Sequence, residues 1–326
     1  TAMISDLVKE EQRPKAMALM GSSIAFAFAF SMIAGPTVGA AFGVQSLFYI
    51  TLVLALVSIF VLITKVPNPP HITHTYNKKA DLKEILLEPN LIKMNLTNFL
   101  QKGLMTFAFM IIPITLIKHF DWQMSELWKV YLPSMLLGIV AMAPAAIIAE
   151  KKGKFKEILL AGIILFGISY LVIGFSASPV IFIIGVVLFF IGFNMHEPIM
   201  QSLASKFAKV HQRGLVLGIF TSAGYVGTFL GGLVGGAFYA SASIQTLTVV
   251  IAVVCLLWAI LILKMPNPSK KKFVYLSLDE YHLEHSSKLN NNVVDEWYIN
   301  NTEHIIAIKY DSEKITEEDI KKLLKD

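Results

Sequence analysis

Cysteine is all but absent. Cys255 is the only one in 326 residues and lies within an apolar run, so no intrachain disulfide can form. Charge is scarce too: charged residues make up 16% of the chain, against about 25% in a soluble domain. Two stretches, 16–64 and 215–263, hold no Asp, Glu, Lys, Arg or His at all. A helix at a protein–water boundary needs a polar stripe, and these stretches have none to offer. Enzyme signatures are missing as well. There is no GxSxG, no HExxH and no P-loop, which removes the reactions that those motifs support. Without a CxxC there is no thiolate metal site, and His282, His285 and His304 read as surface residues. The net charge of +5 comes from Lys and Arg set between apolar runs. That placement argues against a nucleic-acid partner, which would need a basic face.

What is there is apolar length. A helix crossing about 30 Å of hydrocarbon needs about 20 apolar residues, and each charge-free stretch holds two such helices. The whole chain divides into eight spans, near 16–41, 47–64, 94–117, 127–149, 158–175, 180–205, 214–240 and 244–263. A surface helix is expected near 81–87. The predicted fold class is an all-α polytopic membrane protein followed by a small α+β module. Prolines within the spans, such as Pro36, Pro113 and Pro198, are tolerated where neighbouring helices pack around them. Basic residues cluster in alternate loops, at Lys9 to Lys15, Lys65 to Lys83, Lys151 to Lys156, Lys206 to Arg213 and Lys264 to Lys272. The opposite loops carry Lys118 and Lys129, so the basic set is cytoplasmic. The polar tail is expected on that side too.

The two charge-free stretches repeat each other. Arg13 opens one and Arg213 the other, an offset of 200, and Gly35 meets Gly235 at the same offset. Two halves running in parallel are an architecture of secondary transporters. The second double span follows four others. Four counterparts of those are expected ahead of Thr1, so this sequence is expected to be the later part of a longer chain.

Ser31–Ala40, SMIAGPTVGA, resembles the antiporter motif of drug/proton exporters, with Ser31 where that family's first glycine stands. Its Gly35, Pro36 and Gly39 are expected to let the helix bend and approach a partner closely. Ile4–Gly21 resembles the connection between the fourth and fifth helices of the major facilitator superfamily. The resemblance places Asp6 and Arg13 at a cytoplasmic gate; a solvated loop is the plain alternative. EPNLIKMN, WKVYLPSML, FNMHEPIMQSL and MPNP extend the likeness to the YajR-type transporters of that superfamily. The tail reads as strand (KFVYLSL), helix (Glu284–Asn292), two strands (DEWYIN, HIIAIKYD) and an amphipathic helix opening on a threonine cap. This order resembles the ferredoxin-like module of the same group. The resemblance implies a partial major facilitator fold with 1–66 ending an N-terminal half, 67–93 as a cytoplasmic loop, 94–264 as a C-terminal six-helix half and 265–326 as linker and module. It also implies a bacterial-type cytoplasmic (inner) membrane location, a proton gradient as energy source, no cofactor and a small-molecule substrate.

Charges inside a membrane are costly and face cavities or partners. Glu197 lies about eight residues, or ~12 Å, from the cytoplasmic end of its span, and Lys102 sits at a similar depth in another. The two are expected to face each other or to share a polar cluster with Asn95, Asn98, Gln101, Asn194, His196 and Gln201. Snorkelling by Lys102 and a bundle hydrogen bond for Glu197 are the structural alternatives. His196 reads equally as proton relay or packed histidine. Phe99, Phe193 and Tyr225 are candidates for lining a substrate cavity, among many aromatics that read as packing. The series Gly218, Gly224, Gly227, Gly231, Gly235 reads as a close-packing face. The resemblance to drug/proton exporters, carried by Gly35 and Pro36, implies proton-coupled export of small amphipathic compounds. A facilitator importing a nutrient and a membrane sensor acting through its tail are the alternatives.

Overall fold

The structure is a computed structural model. It describes residues 13–66, 74–76, 81–209, 212–266, 271–281, 289, 294–312 and 314–325. Helix α1 spans Arg13–Phe42 and α2 spans Gln45–Lys65. Between them Gly43 takes φ +78°, a left-handed conformation that ends α1 without a Cβ clash. No residue of α2 is buried, and its sequence is apolar on all sides. Such a helix is stable only where lipid or another apolar surface surrounds it.

A short helix α3, Leu82–Leu87, starts on Asp81, whose carboxylate accepts Lys83 N–H at 2.9 Å. Then come α4 (Pro89–Phe120), α5 (Trp128–Lys152), α6 (Phe155–Gly174), α7 (Pro179–Phe207), α8 (Arg213–Ser241) and α9 (Ile244–Leu263). Among the described residues seven helices are long and apolar enough to cross a membrane, α2 and α4 to α9. In α1 the corresponding apolar stretch is the shorter Phe26–Phe42. Helix starts follow local chemistry: Pro89 and Pro179 stand in first turns, where no N–H partner is needed, and Ser178 and Ser243 cap α7 and α9.

The helices α4 to α9 pack as one bundle. α4 runs along α8, α7 lies against α5 and α6, α9 closes on α6, and α1 leans on α5. The bundle core is apolar and rich in phenylalanine, with Phe155, Phe166, Phe182, Phe189 and Phe190 buried beside Tyr170 and Trp258. Where helices approach most closely, glycine makes the room. A Cβ on Gly231 would lie 2.3 Å from Gly103 O, and one on Gly227 2.1 Å from Phe99 O. Gly224 and Gly235 pack on Asn98 and Phe107 of the same helix α4. The glycine face of α8 is therefore real, except that Gly218 has open space where its Cβ would be.

The tail forms strands β2 (Lys271–Ser277), β3 (Val294–Asn300) and β4 (Ile305–Asp311) and helix α10 (Glu317–Lys325). Alternate residues of β2 and β4 pack with Ile320 and Leu324 of α10 into a separate small core. The expected helix over 284–292 lies, Leu289 aside, outside the described residues. One element differs from the sequence expectation: the sheet has four strands, ordered β1-β3-β4-β2 and antiparallel. Its extra strand β1, His74–Tyr76, comes from the segment between α2 and α3 and pairs with β3, His74 opposite Asn300. Three residues show no alternation to read; the exposed edge of β3 supplies the partner that makes them a strand.

Candidate functional site

Two charged side chains meet inside the bundle. Lys102 projects from α4 and Glu197 from α7, and the ammonium contacts Glu197 Oε1 directly. Each side chain is 26% exposed, so the pair is neither dry nor open to bulk water. Lys102 Nζ also lies 5.0 Å from the centre of the Phe193 ring, one turn before Glu197 on α7. Gln101 is fully buried and donates from Nε2 to Phe193 O and to Glu197 Oε1, both at 3.4 Å. Its Oε1 is buried without a partner among the described residues. Pro198 follows Glu197 and has no N–H to give the carbonyl of Asn194, which loosens the helix ladder at this point.

The wider polar cluster is not formed. His196 stands about 100° round α7 from Glu197 and faces the other way. Its Nε2–H donates to Leu159 O at 2.8 Å, and its ring meets Phe166 and Trp258 edge-on at 5.4 and 5.6 Å. Gly162 makes the room, since a Cβ there would fall 2.3 Å from the imidazole. Asn194 turns to α5, with Nδ2 2.9 Å from Phe190 O and 3.7 Å from the sulfur of Met135. Asn98 spends its amide on Phe220 O of α8, at 2.7 Å. Asn95 is partly exposed and Gln201 exposed. Tyr225 is 72% exposed on α8, while Phe193 is buried beside the ion pair. Helix packing, not polarity, decides each of these placements.

Gly35 of the antiporter-like motif has nothing within 4 Å of its Cβ position, and Gly39 has ordinary contacts with Met124 and Leu47. A close backbone approach is made between α4 and α8. Pro36 borders an open apolar cavity of ≈ 300 Å³ at the surface between α1, α4 and α5. Phe28, Ser31 and Met32 of α1, Met105 and Phe109 of α4 and Tyr131 of α5 complete its wall. Phe109 stands 5.7 Å from Phe28, 6.0 Å from Tyr131 and 6.0 Å from Phe190, ring to ring. Met32, Met105 and Tyr131 carry no signal in the sequence that separates them from packing residues. Asp6 and the side chain of Arg13 lie outside the described residues, as do His282 and His285. His304 sits exposed in a turn at φ 50°. No group of His, Cys, Asp and Glu among the described residues could hold a metal ion.

The chain resembles known transporters along its length. It is 32% identical over 242 residues to the inner membrane transport protein YajR of Escherichia coli K12, covering 72% of this chain and 52% of that protein. The chain thus spans about half the length of that relative. It is 22% identical over 299 residues to the mouse major facilitator superfamily domain-containing protein 10, covering 83% of this chain and 64% of that one. Among solved structures, the human organic anion transporter MFSD10 (TETRAN) shares the fold with a TM-score of 0.61 at 18% identity. That likeness covers 80% of this chain and 66% of MFSD10. The Major Facilitator Superfamily model matches residues 1–161 and 134–293, and the chain belongs to that family.

Proposed function

We propose that this protein is a secondary active transporter of a cytoplasmic membrane, exporting small amphipathic compounds in exchange for protons by alternating access. The observation that carries the reading is the Lys102–Glu197 pair. An ion pair held between two spans costs desolvation that packed apolar residues would not, so its place between α4 and α7 calls for a use. Glu197 can take a proton; doing so releases the Lys102 ammonium and changes how α4 and α7 attract each other. A neighbouring apolar cavity suits a greasy substrate body. The basic loops favour a cytoplasmic tail, and the strand order β3-β4-β2 with α10 packed on it supports a ferredoxin-like reading of the module. The antiporter-like segment around Pro36 borders the same cavity, which favours export.

The test is transport by the full-length protein in inverted vesicles, wild type against Glu197→Gln. Glutamine keeps the shape and cannot titrate. The variant is expected to lose proton-driven efflux of amphipathic compounds by at least tenfold while remaining folded, within the usual range for removing a positioned acid–base group. Undiminished efflux by Glu197→Gln would take the coupling role away from this residue.

A further inference from the structure

Glu197 and its neighbour Phe193 are groups that recognise positive charge. Glu197 Oε1 takes the Lys102 ammonium. The Phe193 ring lies 5.0 Å from the same ammonium, and an aromatic face attracts cations through its quadrupole. The buried Gln101 Oε1 is an acceptor with no partner among the described residues. A carboxylate and an aromatic ring therefore hold a cation that belongs to the chain itself, and an unpartnered oxygen sits on the neighbouring residue Gln101. Apolar space adjoins them. Met105 and Phe109 follow Lys102 by three and seven residues on the same face of α4, and both line the ≈ 300 Å³ cavity. Phe190 stands seven residues before Glu197 on α7, with its ring 6.4 Å from that of Tyr131 across the cavity wall.

We propose that Lys102 is an internal competitor, a specificity-setting residue whose ammonium occupies a site built for the cationic end of an amphipathic substrate whose apolar body lies in the aromatic-walled cavity. The proposal rests on the efflux reading and adds to it the sign of the substrate's charge. Lys102 has somewhere to go: its side chain is 26% exposed and its stem is long and flexible. A site that is filled from within binds an outside ligand more weakly, by the fraction of time it stands free. If the pair is closed about nine-tenths of the time, removing the ammonium strengthens cation binding on the order of tenfold. An anion of the same shape gains nothing from a carboxylate, a π face or an orphan oxygen. Were Lys102 a receptor for anions, the same substitution would act in the opposite sense.

Equilibrium binding to the purified full-length protein, without any gradient, decides the matter. The probes are tetraphenylphosphonium and tetraphenylborate, alike in shape and opposite in charge. Lys102→Met is expected to bind the phosphonium about tenfold tighter than wild type, with borate binding unchanged. Lys102→Arg restores the competitor and should return to wild-type affinity. Because Lys102→Met leaves Glu197 unpaired and could unfold the bundle, Phe193→Leu provides a second reading: it keeps the ion pair and should weaken phosphonium binding several-fold. Unchanged or weaker phosphonium binding by a folded Lys102→Met overturns the proposal. So does borate binding that wild type shows and Lys102→Met loses, an unchanged affinity in Phe193→Leu, or no phosphonium binding by any folded form. This pattern without proton-driven efflux would sink the transport reading alone, and efflux without the competitor effect would sink the inference alone.

Discussion

At the scale of single residues, Thr316 and Asp319 show local chemistry deciding a boundary. Thr316 Oγ1 accepts Asp319 N–H, and Asp319 Oδ2 accepts Thr316 N–H, both at 3.2 Å, which starts α10 with two backbone donors satisfied. Thr316 Oγ1–H also donates to Asp319 Oδ2 at 2.6 Å, and this bond first, with that from Thr316 N–H, holds the Asp319 carboxyl below the usual carboxylate range. A depressed folded-state value means the stabilisation is present above the unfolded value, near pH 4, and is lost as pH falls through the folded one. Amide exchange in the first turn of α10, corrected for its intrinsic pH dependence, should therefore speed up on acidification below about pH 4. Thr316→Ala should cost about 1 kcal/mol, or roughly fivefold faster exchange at neutral pH, and should blunt the acid effect. This cap was readable in the sequence because all its parts lie within four residues. The two faces of α7 were readable only in part. Lys102 and Glu197 sit at one depth in two spans, and that much follows from counting. Which way His196 turns depends on Gly162 and Trp258, from helices whose contacts no local pattern encodes.

At the scale of elements, span positions follow from composition, because lipid demands an unbroken apolar length; Ile244–Leu263 begins and ends where the apolar run does. Partners are another matter. Glycines recur on α1 as on α8, yet only those of α8 let another backbone in. The α4–α8 contact brings Phe99 O toward Gly227 and Gly103 O toward Gly231, leaving no room for a methyl group. Gly231→Ala should force the helices apart, with a loss of about 1–3 kcal/mol as for other overpacked cores. Gly218→Ala, with open space around it, should be neutral or gain slightly from helix propensity. Thermal unfolding of the detergent-solubilised protein separates the two; equal melting behaviour would mean that α4 and α8 are not packed this closely. The apolar cavity stayed hidden for a related reason: Met105 and Tyr131 look like core residues until α1 fails to fill the space beside them.

At the scale of the whole molecule, the tail is joined to the bundle through the end of the helix that carries Glu197. Lys309 of β4 is 5% exposed and donates to Lys206 O and Ala208 O at 2.8 and 2.7 Å, at the C-terminal end of α7. A cation there also complements the helix dipole. Arg213, opening α8, lies 4.9 Å over the ring of Phe273 in β2. From the other side Glu84 of α3 contacts Lys209 and accepts from Gln212 Nε2 at 2.9 Å. Strand β1 ties the segment between α2 and α3 to the same sheet. None of these links was legible, since a buried lysine in a strand and a three-residue edge strand gain their meaning only from a distant partner. Replacing Lys309 by Met keeps the stem and deletes both charged hydrogen bonds, each worth about 1.5–3 kcal/mol. Amide exchange across 206–213 should then rise sharply, while β2, β3 and β4, held by their own core, keep their protection. Lys309→Arg should retain part of the effect, because a guanidinium can still reach one carbonyl. If exchange across 206–213 stays at the wild-type rate in Lys309→Met, the lysine is not what anchors the tail to α7, and the Arg213–Phe273 contact and the β1–β3 pairing must carry the junction.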